Sequence, residues 1–403
     1  MEHVESPYRG VEQSPSGLVM QGIVAVLMLI PVTLPVPVLR ELVHERFQVS
    51  EFLTSLFMSI NMVGAVLAAP LMGTLADRWG QRKRMVLWAL ALDAFCFFAM
   101  TAEIPFSAFM SLRFIEGAAH ITALSMLLSL ASTSVRASHR GRAMGWVGAG
   151  LLFGVAIGAP IGGAVGALQP VRTLWLGGFI VLIAAALSVK VLRDGDMDDR
   201  EPWTFSRLLV AFRTHRRLAI PLLFAFADRF TVGFYTTTFS LYVSRIHGAD
   251  PPQIGLLISA FMLPFALLSY PFGLLSERTS RVGLLGVGSI LYGIGTATLV
   301  LWPAAWLPFV MASIGIAAAV MFVPTMLLVT EYAPDELRST ALSAFNAAGS
   351  LGFIVGPLVG GAISVWFGSD GHWEEGYGMA FAVAGGSELI LVAIALPLLY
   401  RMR

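Results

Sequence analysis

GTLADRWGQRKR, Gly73 to Arg84, gathers Asp77, Arg78, Arg82, Lys83 and Arg84 into one short stretch. The apolar run FLTSLFMSINMVGAVLAAPLM leads into it, and MVLWALALDAFCFFAM follows. A helix crosses the roughly 30 Å hydrocarbon core of a bilayer in about 20 residues. Both flanks read as such spans, so the charged stretch reads as a short loop at a membrane surface, where Arg and Lys fix topology and meet anionic head groups.

The pattern repeats along the chain. Of 403 residues, 57% are hydrophobic and only 13% charged, against about 25% charged in soluble domains. Twelve apolar runs can be marked, near 18–39, 52–76, 85–103, 105–133, 141–168, 173–192, 218–246, 254–276, 282–302, 304–330, 339–367 and 377–400. They are too long and too rich in glycine for barrel strands, which leaves an all-α integral membrane protein of twelve helices. The net charge of +1 leaves no dense basic surface for nucleic acid. The single cysteine, Cys96, falls in the third run and can form no intrachain disulfide. Residues 1–17 are polar and mixed in charge, so a cytoplasmic tail and an uncleaved first helix are expected rather than a signal peptide.

With the N-terminus inside, the inner segments hold 20 Lys and Arg residues and the outer segments four, Arg40, Arg46, Arg172 and Arg245. The positive-inside rule then puts both termini in the cytoplasm. Residues 193–217, opening RDGDMDDREPW, interrupt the apolar pattern as a cytoplasmic linker between residues 18–192 and 218–403. An offset of 198 aligns RGRAMGWVGAGLLFGVAIGAPIGGAV (140–165) with RSTALSAFNAAGSLGFIVGPLVGGAI (338–363), setting Gly154, Gly158, Gly162 and Gly163 on Gly352, Gly356, Gly360 and Gly361. An offset of 200 sets Gly73, Asp77 and Arg78 on Gly273, Glu277 and Arg278. Two six-helix bundles related by an axis along the membrane normal are expected.

These residues carry a resemblance. GTLADRWGQRKR, with Gly73, Asp77, Arg78, Gly80, Arg82 and Arg84, resembles the loop signature between the second and third helices of major facilitator superfamily transporters, and GLLSERTSR is its weaker copy. LRFIEGAAH (Leu112–His120) resembles that family's fourth-helix motif, and GVAIGAPIGG (Gly154–Gly163) its fifth-helix antiporter motif. The family pattern has proline directly after glycine, as in Gly356–Pro357, whereas Ala159 separates Gly158 from Pro160. Among the family's members the motifs stand nearest to twelve-helix drug/proton antiporters. The resemblance implies a latch in which Asp77 faces the N-terminus of helix eleven near Ser339, with Arg78 in its charge network. It also implies that the glycine rows of helices five and eleven line the interface at which the bundles seal and part.

Six ionisable residues fall within spans: Asp93, Arg113, Glu116, Asp228, Arg229 and Glu388. Each costs about 2.5–3.5 kcal/mol if it faces lipid at a helix centre, so an interior or a wet cavity is expected. Arg113, Glu116 and His120 share one face of the fourth helix. They read either as a self-neutralising pair with a packed histidine or as a proton or substrate site. Asp228, beside Arg229 near the middle of the seventh helix, is the second candidate proton carrier. Asp93 and Glu388 lie on helices peripheral in the family and are assigned to structure. Asn61 and Gln21 suit substrate or another helix equally.

Phe57, Met58, Met62, Phe230, Phe234, Tyr235, Phe239, Met262 and Phe265 lie on helices that line the central cavity in the family. A wall of this composition suits a hydrophobic or amphipathic molecule rather than a sugar. The function expected is a monomeric, proton-coupled secondary transporter of a bacterial inner membrane, exporting a lipophilic or cationic compound by rocking-bundle alternating access. Import, lipid transport and a non-transporting receptor are the alternatives. No cofactor or metal is expected beyond the proton gradient. The chain has no phosphate-cradling GxxxxGK[ST], no metal-spaced cluster and no GxSxG, which argues against an enzyme or an ATP-driven pump.

Overall fold

The structure, a computed structural model, describes residues 15–79, 81–133, 140–193, 216–334, 337–368 and 371–401. The first six spans are Pro15–Thr33, Glu51–Trp79, Arg82–Ala99, Phe106–Thr133, Arg140–Gly166 and Arg172–Val191. The seventh is made of two helices, Ala219–Thr236 and Thr238–His247, and the eighth to twelfth are Pro251–Arg278, Arg281–Ala297, Leu307–Tyr332, Arg338–Gly368 and Trp373–Arg401. Nine of the described helices are long and apolar enough to cross a membrane by themselves. The third carries Arg82, Lys83, Arg84 and Asp93, the seventh is interrupted, and the ninth has 17 residues. Most of the expected linker, residues 194–215, lies outside the described residues.

Local chemistry sets several ends. Asp250 caps the eighth span, accepting from Gln253 N at 2.9 Å while the Gln253 side chain accepts from Asp250 N at 3.2 Å. Such a reciprocal cap is worth about 1 kcal/mol. Gly248 takes φ +63 just before it, a left-handed turn that costs glycine nothing. Two spans break. The first passes after Thr33 into a 3-10 turn, Val36–Val38, and a π turn, Arg40–Glu45. The seventh breaks at Thr237 (φ −130, ψ −72), where Thr236 and Thr237 Oγ1 both donate to Gly233 O at 3.0 and 2.9 Å. Hydroxyls that return to the backbone are what lets a helix break inside a membrane.

Spans one to six pack around a core that includes Phe57, Phe97 and Phe109, and spans seven to twelve around Phe234, Phe261 and Phe381. The glycine rows shape these bundles from within. A Cβ on Gly154, Gly158 or Gly162 would strike backbone oxygens of Val26, Ile30 and Leu34 in the first span. On Gly352, Gly356 or Gly360 it would strike Phe226, Phe230 and Thr238 in the seventh. Contrary to the sequence expectation, these rows face the neighbour inside their own bundle. A spacing of four fixes a smooth face but does not name the helix that meets it. Pro160 and Pro357 sit within helices that continue through them.

Only the last glycine of each row turns to the other bundle, Gly163 against Pro251 and Pro252, and Gly361 against Ser55 and Phe52. Around them, Ser259 Oγ donates to Ala156 O at 2.7 Å, Ser59 Oγ to Ile354 O at 2.8 Å and Ser240 Oγ to Val36 O at 2.7 Å. These contacts lie toward the side opposite the chain ends, called here the far side.

Candidate functional site

The fourth span presses against the second because two glycines let it. A Cβ on Gly117 would lie 2.9 Å from Asn61 Cα, and one on Gly64 would lie 3.0 Å from the Phe114 carbonyl carbon. The approach brings Asn61 Nδ2 to Glu116 Oε2 at 2.5 Å, and Arg113 Nη1 donates to the same oxygen at 2.7 Å. Arg113 lies over the Phe57 ring at 4.5 Å, with Nη2 3.8 Å from Met58 Sδ. Met58 packs against the cores of both bundles, so Arg113 stands one side chain from their interface.

One turn along, His120 Nδ1 meets Asp93 Oδ2 of the third span at 3.2 Å. Asp93, assigned to structure from sequence, is thus a member of the group that holds Glu116. Its hint in the sequence was cost: an aspartate in mid-span needs a buried partner, and His120 was the unpaired group nearest in depth. Arg113, Glu116, Asp93 and His120 are all buried. With His120 protonated the group contains two acids and two bases and is neutral. Ligand atoms of Asp93, Glu116 and His120 lie within 4.8 Å of one another. Arg113 and Asn61 already occupy the Glu116 oxygen, and a guanidinium there opposes a metal ion.

The second bundle holds a sparser arrangement. Arg229 pairs with its neighbour Asp228 and stacks over Phe322 at 4.7 Å and Phe353 at 5.8 Å. Gly349 leaves it room, since a Cβ there would lie 3.0 Å from Arg229 Cγ. Asp228 is buried and faces a small pocket that Glu388 also lines.

On the far side, Glu51 at the start of the second span is 2% exposed and meets two side chains of the other bundle. Arg245 Nε lies 2.7 Å from Glu51 Oε1, and Tyr377 OH lies 2.9 and 2.8 Å from its two oxygens. Trp373 carries the Arg245 guanidinium at 3.9 Å from its ring centre. Sequence reading passed over this group, because Glu51 and Arg245 both stand at span ends, where charge needs no explanation.

The remaining expected residues distribute as follows. Gly73, Asp77 and Arg78 lie on the second span, with side chains outside the described residues, and Gly80 is outside them altogether. Arg84 donates to Gln81 Oε1 at 2.7 Å, Arg82 is half-buried, and Glu277 and Arg278 are exposed. A Cβ on Gly273 would sit 3.2 Å from Val323 of the tenth span, inside the bundle. Phe234, Tyr235 and Met262, expected to line a cavity, are buried in packing here, with Tyr235 OH 2.6 Å from Thr296 Oγ1 and its ring 4.9 Å from Phe261. Phe230 stacks on Phe226 and meets Phe234 edge-on. Sealing the far side closes these residues in. Gln21 is buried, and neither end of its amide has a hydrogen-bond partner among the described residues.

The Major Facilitator Superfamily profile matches residues 22–239 and again 221–403. The chain belongs to the major facilitator superfamily. That is a transporter family rather than an enzyme family. Magnetosome protein MamH of Paramagnetospirillum magneticum is 28% identical over 242 residues, 57% of this chain and 54% of MamH. The match thus spans about half the length of that relative. The 3-(3-hydroxy-phenyl)propionate transporter of Escherichia coli is 23% identical over 328 residues, 79% of each chain. Among solved structures, a bacterial homologue of the human lysosomal transporter Spinster, inward-facing and unoccupied, superposes with a TM-score of 0.81 at 15% identity, covering 95% of this chain and 97% of that one. A D-xylose–proton symporter superposes at 0.72 and 15%, covering 93% and 96%. At these identities the structures speak for the fold alone.

Proposed function

We propose that this chain is a proton-coupled secondary transporter that carries an amphipathic small molecule by alternating access between its two bundles. The observation that carries the reading is the shared Glu116 oxygen, which holds Arg113 and Asn61 together one side chain from the bundle interface. A proton on Glu116 removes its charge and releases Arg113, whose guanidinium then suits a substrate carboxylate bidentately. Proton and carboxylate cancel, so one of each crosses as a neutral load. The loop signature supplies the second gate: Asp77 closes on the eleventh span when the side of the termini shuts. Both termini face the cytoplasm in this reading, and the 193–217 linker ties the bundles together.

Symport is the leading direction. It is supported by the sign of the Arg113 exchange, which loads proton and anion together. The test is uptake of radiolabelled 3-(3-hydroxyphenyl)propionate, the aromatic acid named for one relative, into proteoliposomes acidified outside. Uptake that follows the pH gradient and ignores an imposed membrane potential supports the reading. Uptake indifferent to the gradient, or undiminished in Glu116→Gln, overturns the coupling. A second reading, export of a lipophilic cation against protons, is favoured by the fifth-helix likeness of GVAIGAPIGG. Ethidium extrusion from the same vesicles decides for it.

A further inference from the structure

The buried charges of the two bundles do not balance in the same way. In the first bundle Glu116 is matched by Arg113, and Asp93 by His120. In the second, Arg229 matches Asp228, and Glu388 is left over. Glu388 is fully buried at 0% exposure, and neither of its carboxyl oxygens has a hydrogen-bond partner among the described residues. The Ser289 hydroxyl beside it is a donor within reach, and here it points to Met321 Sδ at 3.2 Å. Tyr292 OH, within electrostatic reach of Glu388 and Asp228, is buried and without a hydrogen-bond partner among the described residues.

An ionised carboxyl with no counterion, and with at most one rotatable hydroxyl to donate to it, is costly in a membrane interior. Glu388 lines a small pocket together with Asp228, and its other walls include Phe224, Leu285, Phe322, Thr325 and Phe345. The pocket holds about 10 Å³, far below the roughly 300 Å³ at which small-molecule pockets begin. It suits an ion or a water at most. The ionisable groups near Glu388 are Asp228 of the seventh span and Tyr292 of the ninth, and Tyr292 in turn lies near Tyr235 and Arg229. The tenth span between Leu307 and Val329, and the eleventh between Ser339 and Gly368, contain no ionisable residue.

We infer that Glu388, with Asp228 and the Tyr292 hydroxyl beside it, is a binding site for one monovalent cation, a proton or Na+, inside the second bundle. One positive charge completes the inventory, and a divalent ion exceeds it. A proton converts Glu388 to a neutral acid. Na+ finds carboxyl and phenol oxygens, the hard ligands it prefers. Occupancy stands apart from transport; its use as a second coupling site, giving the C-terminal bundle its own ion, rests on the transporter reading above.

The test uses the full chain in lipid nanodiscs. Infrared spectra near pH about 7, where a free carboxyl is ionised, are compared for wild type, Glu388→Gln and Asp228→Asn, with thermal unfolding in sodium and in choline chloride. A proton occupant gives a neutral-acid carbonyl band in wild type that vanishes in Glu388→Gln and weakens in Asp228→Asn, where Arg229 is left to balance Glu388. A sodium occupant gives no such band in NaCl, and raises the unfolding temperature by at least about 2 °C over choline in wild type but not in Glu388→Gln. Wild type with neither signal, or either signal unchanged in Glu388→Gln, overturns the site. Should Glu388→Gln fail to fold, Tyr292→Phe takes its place: a shifted band, or a reduced sodium effect, supports the site, and no change in either overturns it. Lost signal with transport intact in Glu388→Gln leaves the site and refutes its use in coupling, whereas a wild type that transports but gives no signal refutes the site and leaves the transporter reading.

Discussion

Arg245 Nε stands 2.7 Å from Glu51 Oε1, and the two residues belong to different bundles. Glu51 is buried, so separating the bundles on the far side leaves a carboxylate to find water in place of Arg245 and Tyr377. Removing one partner of a buried ion pair costs about 3–5 kcal/mol. Glu51→Gln and Arg245→Met are each expected to populate the far-side-open state. In a Cys96→Ala background, a cysteine at Ser55 should be labelled by a membrane-impermeant maleimide at least about tenfold faster with either substitution, since 1.4 kcal/mol suffices for tenfold. Unchanged labelling denies the pair a role in the seal.

Gly117 and Gly148 provide a matched pair of tests. A Cβ on Gly117 lands 2.9 Å from Asn61 Cα and collides with its carbonyl, while one on Gly148 meets nothing within 4 Å. Gly117→Ala should destabilise the protein by about 1–3 kcal/mol through overpacking, and Gly148→Ala should change little. Thermal unfolding in detergent reads both.

The glycine rows divide by what they touch. Gly158→Leu and Gly356→Leu separate neighbours inside a bundle, at Ile30 and Phe230, and should lower thermal stability. Gly163→Leu and Gly361→Leu press on the opposite bundle at Pro251 and Ser55, and should speed labelling of the far side with less effect on unfolding. Equal behaviour of the two classes contradicts the assignment.

Asn61→Leu deletes the 2.5 Å donor to Glu116 and leaves Arg113 as its sole partner on that oxygen. A lost hydrogen bond to a buried charged group costs about 1.5–3 kcal/mol. A double-mutant cycle with Glu116→Gln should show coupling of at least about 0.5 kcal/mol in chemical denaturation. Zero coupling removes Asn61 from the site.

Asp77→Asn should leave the protein inserted and folded while slowing the initial rate of 3-(3-hydroxyphenyl)propionate uptake. Normal rates remove the latch from the mechanism.

The spans were legible because bilayer thickness is a hard ruler, and runs such as 254–276 and 304–330 fill it without charge. The third was legible only through its neighbours, since Arg82–Arg84 and Asp93 weaken its own signal. Helix faces were legible too: Arg113, Glu116 and His120 at i, i+3 and i+7 do share one buried side. What periodicity does not encode is the rotation of one helix against another. That rotation turned Gly154 and Gly352 inward to the first and seventh spans, and brought Asp93 of one helix to His120 of the next. Glu388 shows a further gap, because an orphaned carboxyl is defined by groups that are not near it, and no spacing along the chain records them.

Ser240 Oγ reaches Val36 O just where the first and seventh spans both abandon their α-helical course. That carbonyl also accepts Leu39 N–H within its 3-10 turn, so exchanging its bond to Ser240 for water unravels no turn. The junction is therefore a clasp with an interchangeable link: parting it trades one neutral bond for another, and the cost of opening this side falls on Glu51 and Arg245.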